Sequence, residues 1–114
     1  MIKIQKFHIY LADLNPRMGT EAGKIRPVVV IQTDLLNTVH PSTIVCPLTT
    51  QLVKQSHLLR VHVARGGSGL DLNSDVLVDQ IRAIDNRRFV EHVGKLTSAQ
   101  QSQLMENLKV LILE

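Results

Sequence analysis

A mainly β fold with some α character (α+β), a small barrel or strongly twisted sheet with one C-terminal helix, is what this 114-residue sequence predicts. Three observations point there. Short segments of alternating or β-branched residues recur at close spacing, a pattern of small barrels and twisted sheets. A helical apolar stripe stands out only in the stretch after Thr97. The length suits a single domain over 1–114, because domains commonly run to about 100–150 residues.

The elements follow in order. Phe7 to Asp13 alternates, with Phe7, Ile9 and Leu11 on one face, and reads as a half-buried strand. Residues 14–25 form a long polar loop holding Asn15-Pro16, Gly19 and Gly23. Val28 to Gln32 is an apolar, β-branched run and so a central strand, with Pro27 at its first position, where a missing N–H is tolerated. Asp34 to Thr38 suits a short helical turn. Thr43 to Leu48 is a strand broken near its end by Pro47. His57 to Ala64 alternates, with Leu59, Val61 and Val63 inward and Arg60 and His62 outward. Gly66-Gly67-Ser68-Gly69 marks a turn. Ser74 to Ile84 reads as one strand, and Phe89 to Lys95 as a short one. Thr97 with Gln100 three residues on forms a capping box, and Leu104, Leu108, Leu111 and Ile112 continue the helical stripe. The sum is five or six strands and one helix.

Composition narrows the function classes. A formal net charge of +3 favours anionic partners but is far below that of a DNA-coating protein. Aromatics are limited to Phe7, Tyr10 and Phe89, so a nucleic acid would be held by hydrogen bonds and phosphate contacts more than by stacking. No stretch approaches the roughly 20 apolar residues of a membrane span. Residues Met1 to Lys6 lack the apolar segment of a secretory signal, and the single Cys46 excludes an internal disulfide; a cytoplasmic protein is expected. His8, His40, His57, His62 and His92 show no zinc-type spacing, and Cys46 in its apolar strand reads as an inert buried thiol. No nucleophile-elbow, P-loop or dinucleotide motif is present.

Three polar clusters interrupt apolar segments: Lys24-Ile25-Arg26-Pro27, Pro47-Leu48-Thr49-Thr50-Gln51 and Asp79-Gln80-Ile81-Arg82. Pro27 restricts Arg26 to an extended backbone at the mouth of a strand. A guanidinium fork matches phosphate oxygens, a threonine hydroxyl adds a neutral donor, and a carboxylate–amide pair suits base recognition. Each cluster also has a plain structural reading. Arg26 could pair with Asp79 on the surface, Thr49 and Thr50 could be turn hydroxyls, and Asp79 with Arg82 could be an ion pair.

The chain resembles the MazF/PemK (Kid) toxins of bacterial toxin–antitoxin modules over nearly its full length. The matching stretches are Tyr10 to Pro16, Gly19-Thr20-Glu21, Gly23 to Val30, Ile44 to Thr49 and Asp79 to Asp85. That resemblance implies an SH3-like barrel with a C-terminal helix, a homodimer, and metal- and cofactor-independent cleavage of single-stranded RNA at short sequences. The substrate's own 2′-hydroxyl would be the nucleophile, leaving a 2′,3′-cyclic phosphate and a 5′-hydroxyl. By position, Arg26 and Thr49 match the family's essential arginine and threonine, with Arg26 read as an electrostatic stabiliser and the general base unassigned. Asp79 and Gln80 match a pair near the substrate, and Gly19 and Glu21 lie in the loop that overhangs the RNA groove. Lys24, Thr50, Gln51 and Arg82 complete the expected substrate-binding set. An acidic antitoxin competing for the groove is the implied partner.

The chain departs from the family where Phe7-His8 replaces the usual Gly-Asp or Gly-Glu, where Leu77 replaces an arginine of some members, and where Thr20 replaces a histidine. A second reading is a non-enzymatic, CcdB-like toxin binding DNA gyrase; those toxins lack the Arg-Pro and Leu-Thr combination present here.

Overall fold

The computed structural model describes residues 2–16, 18–20, 24–53 and 59–114. Among them run seven strands: β1 (His8–Asp13), β2 (Ile25–Val30), β3 (Ser42–Thr49), β4 (Arg60–Val63), β5 (Ser74–Leu77), β6 (Arg82–Asp85) and β7 (Phe89–Lys95), followed by helix α1 (Ser98–Leu113). All pairings are antiparallel, in the order β4-β5-β3-β2-β1-β7 with β6 also on β3. The predicted mainly β class holds, but the strand path is open, with β4 and β7 at its ends. Between these ends the 66–69 turn is seated on β7. Gly69 and Gly94 face backbone so closely that a Cβ at either would lie 2.2 Å from the Val93 oxygen or 1.8 Å from the Ser68 oxygen.

Two prolines explain the sheet's shape. Pro47 stands opposite Val28 inside β3, after the pairing with β6 ends at Val45 and before that with β5 begins at Leu48. Its missing N–H therefore falls at the handover between two neighbours, and the strand runs through it instead of breaking. Pro27 stands opposite Leu11 on β1, one residue outside the β2–β3 pairing, which stops at Val28. The β2–β3 pairing goes no further, since Pro27 has no N–H to offer β3.

The core has two clusters, one on each side of the central strands. Ile9, Val29, Cys46 and Leu48 pack with Val61 and Val63 of β4 and with Leu104 and Leu108 of α1. Tyr10, Ala12, Val28, Val30, Val45 and Phe89 form the other. Strand β1 is accordingly buried on both faces and not half-buried as its alternation suggested, because β2 and β7 flank it and both clusters claim it.

Other expectations are corrected. The single strand over Ser74–Ile84 divides into β5 and β6 around a 3-10 turn at Val78–Gln80, which carries the chain from one edge segment of β3 to the next. Among the described residues the strand count is seven, not five or six. The helical stripe stops after Leu108: Leu111 and Ile112 are exposed, and Asn107 is buried instead, donating to the Arg60 carbonyl. Leu59 is exposed rather than inward. The short helical turn expected over Asp34 to Thr38 is present, as hydrogen-bonded turns in which the Asn37 N–H reaches the Thr33 carbonyl. The capping box at Thr97–Gln100 forms with both hydrogen bonds.

Candidate active site

The candidate site lies where the β2–β3 pairing ends, at Pro27 and Pro47. Alternation along β2 puts Arg26 on the face of Val28 and Val30, and along β3 it puts Thr49 on the face of Val45. Arg26 is half-buried, and its Nη1 donates to the Leu48 carbonyl at 3.4 Å, which brings the guanidinium to the residue before Thr49. Thr49 is half-buried at the end of β3, and its Oγ1 accepts from the Gln51 N–H at 3.1 Å, the local turn geometry its alternative reading predicted. Arg82 stands opposite Val45 and so shares this face, also half-buried. The fork, the hydroxyl and a second guanidinium therefore lie on one side of the sheet, Arg82 four residues along β3 from Thr49.

The 3-10 turn brings the third cluster in. Gln80 Nε2 donates to the Thr20 carbonyl at 3.2 Å, tying the Gly19–Thr20 part of the β1–β2 loop to the turn. Gly19 sits at φ +58, a left-handed conformation that suits glycine. Asp79 is exposed on the turn and is not ion-paired with Arg82 among the described residues. Burial pushes the Cys46 thiol up to about 12, with the Asp79 carboxylate as the second cause, so this thiol stays protonated and inert. Lys24 is exposed at φ +66, its N–H bonded to Asn15 Oδ1 at 2.8 Å. Thr50 and Gln51 are exposed beyond β3; Thr50 and Pro27, on the opposite side of their strands, help line an open cavity of about 410 Å³. Glu21, a further expected contact, lies outside the described residues.

The sequence reading missed Asp75. It stands directly opposite Thr49 on β5 and is 5% exposed. Its carboxylate takes Arg60 Nη1 at 3.3 Å and His62 Nδ1 at 3.0 Å, while Arg60 also donates to the Gln51 carbonyl at 2.6 Å. The available signal was a lone aspartate inside an apolar strand, Ser74-Asp75-Val76-Leu77, since buried carboxylates demand partners. The replacement of Gly-Asp also has a structural counterpart. Phe7 holds φ +67, where glycine is at ease, and His8 Nδ1 lies 2.9 Å from His92 Nε2 across β1 and β7.

A model of the PemK-like, MazF-like toxins of type II toxin–antitoxin systems matches residues 5–112. The chain is 33% identical over 107 residues to Endoribonuclease EndoA of Bacillus subtilis strain 168, covering 94% of this chain and 92% of that protein. It is 38% identical over 103 residues to Endoribonuclease MazF of Staphylococcus epidermidis, covering 90% and 83%. In fold it is similar to MazF (Form-I) from Deinococcus radiodurans, with a TM-score of 0.84 at 22% identity over 100% of both chains. It also matches a MazE–MazF (Form-II) structure from that organism, TM-score 0.77 at 22% identity over 98% and 97%. The curated relatives carry endoribonuclease names, which turns the balance against the gyrase-binding alternative. The end of the β2–β3 pairing, where Arg26 and Thr49 lie, is thus part of a chain that belongs to the PemK-like, MazF-like toxin family of type II toxin–antitoxin systems.

Proposed function

We propose that this protein is a sequence-specific, metal-independent endoribonuclease toxin that cleaves single-stranded RNA, including mRNA, and is neutralised by an antitoxin of the MazE type. The observation that carries the reading is the placement of Arg26 and Thr49 on one face where the β2–β3 pairing ends. The substrate's 2′-oxygen attacks the adjacent phosphorus, the bond from phosphorus to the 5′-oxygen breaks, and a 2′,3′-cyclic phosphate and a 5′-hydroxyl result. Arg26 braces the oxygens on which charge develops, and Thr49 donates to one of them; one preorganised donor of this kind is worth about 10²–10³ in rate. Arg26 stays protonated at neutral pH, so it stabilises charge and does not accept the 2′-proton. By the family resemblance, Gly19, Glu21, Lys24, Thr50, Gln51, Asp79, Gln80 and Arg82 are the residues that hold flanking nucleotides.

The reading takes the chain as one toxin domain, acting as a homodimer in the cytoplasm, where its RNA substrate lies. Solved MazE–MazF complexes among its structural relatives support an antitoxin partner, and the reading has it compete with RNA for the groove. Incubating the protein with a long RNA in EDTA tests the proposal. Discrete fragments with 5′-hydroxyl ends are expected, and Arg26→Ala is expected to abolish them. RNA that stays intact, or fragments equally abundant with Arg26→Ala, would overturn it.

A further inference from the structure

The row of residues outward from Thr49 extends the site beyond the residues placed in it above. Thr49 stands opposite Asp75, and Asp75 stands opposite His62, so the three lie side by side on one face of β3, β5 and β4. Arg60 stands opposite Leu77, two residues from each, and shares that face. Asp75 is nearly sealed, with 8% of its side chain exposed, whereas the His62 side chain is 56% exposed. A buried carboxylate holding one permanent cation and one imidazole is a positioning device. It fixes the His62 ring by its Nδ1–H and leaves Nε2 without a partner among the described residues.

We propose that His62, oriented by Asp75 and flanked by Arg60, is a second phosphate subsite of the RNA groove, one that takes up a proton when it binds. Its ligand rests on the endoribonuclease reading. Thr49 and His62 are two strand spacings apart, about 10 Å, which places the subsite on a phosphate neighbouring the one held by Arg26 and Thr49. With Nδ1–H committed to the carboxylate, neutral His62 offers a lone pair at Nε2, which repels a phosphate oxygen. Protonated His62 offers an N–H in its place, and the charge balance of the Arg60–Asp75–His62 group goes from zero to +1. Among the described residues, the groups facing His62 are the Asp75 carboxylate from β5 and the Arg60 guanidinium along β4. On the other side of β4, α1 packs the uncharged Leu104 and Leu108, with its Glu106 and Lys109 exposed. Asp79 of the neighbouring 3-10 turn is exposed as well.

The test is equilibrium binding of a fluorescent 2′-O-methyl oligonucleotide pool, which cannot be cleaved, to the full chain between pH 8 and pH 5.5. Wild-type affinity is expected to rise several-fold as pH falls, and His62→Gln, an exposed change, to flatten that rise. At pH 5.5 the salt dependence of log affinity should lose about 0.7 in slope with His62→Gln, the value of one single-strand phosphate contact. Asp75→Asn should weaken the pH dependence too; if it unfolds, His62→Gln decides alone. Equal pH and salt dependence in wild type and His62→Gln would overturn the subsite while RNA cleavage left the enzyme reading standing. Titratable binding through His62 with no RNA cleavage would do the reverse. No binding of the pool by wild type would overturn both.

Discussion

Replacing Gly94 by alanine puts a methyl group where the fold has backbone. The new Cβ would lie 1.8 Å from the Ser68 carbonyl oxygen, 2.7 Å from its carbon and 3.3 Å from the Gly69 nitrogen. Comfortable carbon contacts need about 3.5–4.0 Å, so the 66–69 turn must withdraw from β7 by well over an ångström. Overpacking of this kind costs about 1–3 kcal/mol, and backbone on both sides puts Gly94→Ala near 3 kcal/mol. At about 4 °C per kcal/mol for a chain of this size, the melting temperature should fall by roughly 12 °C. Thermal unfolding followed by circular dichroism measures this directly. Gly67→Ala in the same turn is the control, because a Cβ there meets nothing within 4 Å; it should move the melting temperature by about 2 °C or less. If Gly94→Ala melts within about 2 °C of wild type, the turn is not seated on β7, and the account of how the open ends of the sheet are joined is wrong.

Arg26→Lys keeps the charge but not the planar fork, so cleavage of a preferred RNA should stay at least about tenfold below wild type in single-turnover kinetics. Thr38 is a β-branched residue at φ +72 on an exposed turn, and Thr38→Gly should raise stability by about 1 kcal/mol, read as a higher urea midpoint at constant slope. Burial, then His92 and Lys95, lower the pKa of His8 below its ordinary 6.5. The folded state therefore binds fewer protons than the unfolded chain in that window, so stability is complete above about pH 6.5 and declines as pH falls. Urea melts from pH 8 to pH 5 should show this decline, and His8→Gln should reduce it; a flat profile in wild type would contradict it.

Much of this was legible in the chain itself because the local signals were strong. The Thr97–Gln100 capping box and the Phe89–Lys95 strand lie where their patterns put them. Other features depend on partners distant in sequence. Ser74 to Ile84 reads as one apolar strand, and only the change of position along β3 reveals why a turn must divide it. Leu111 and Ile112 fit the helical period, but the core beneath α1 ends at Leu108. The prolines at 27 and 47 read as strand limits in sequence; in the sheet Pro47 stands opposite Val28, and together they mark where the β2–β3 pairing ends and so where Arg26 meets the end of β3. Asp75 escaped notice because its partners, Arg60 and His62, are 15 and 13 residues away and its link to Thr49 is a matter of register. The fitness of glycine at position 7 appears only once Phe7 is seen at φ +67.

The central claim is that Arg26 and Thr49 stabilise an attack made by the substrate's own 2′-oxygen. The most direct measurement replaces the single nucleotide on the 5′ side of a mapped cleavage site by its 2′-deoxy counterpart in an otherwise unchanged RNA. Cleavage at that bond should disappear while cleavage at an unmodified copy of the site in the same molecule continues. Cutting at the deoxy position at an undiminished rate would contradict the account.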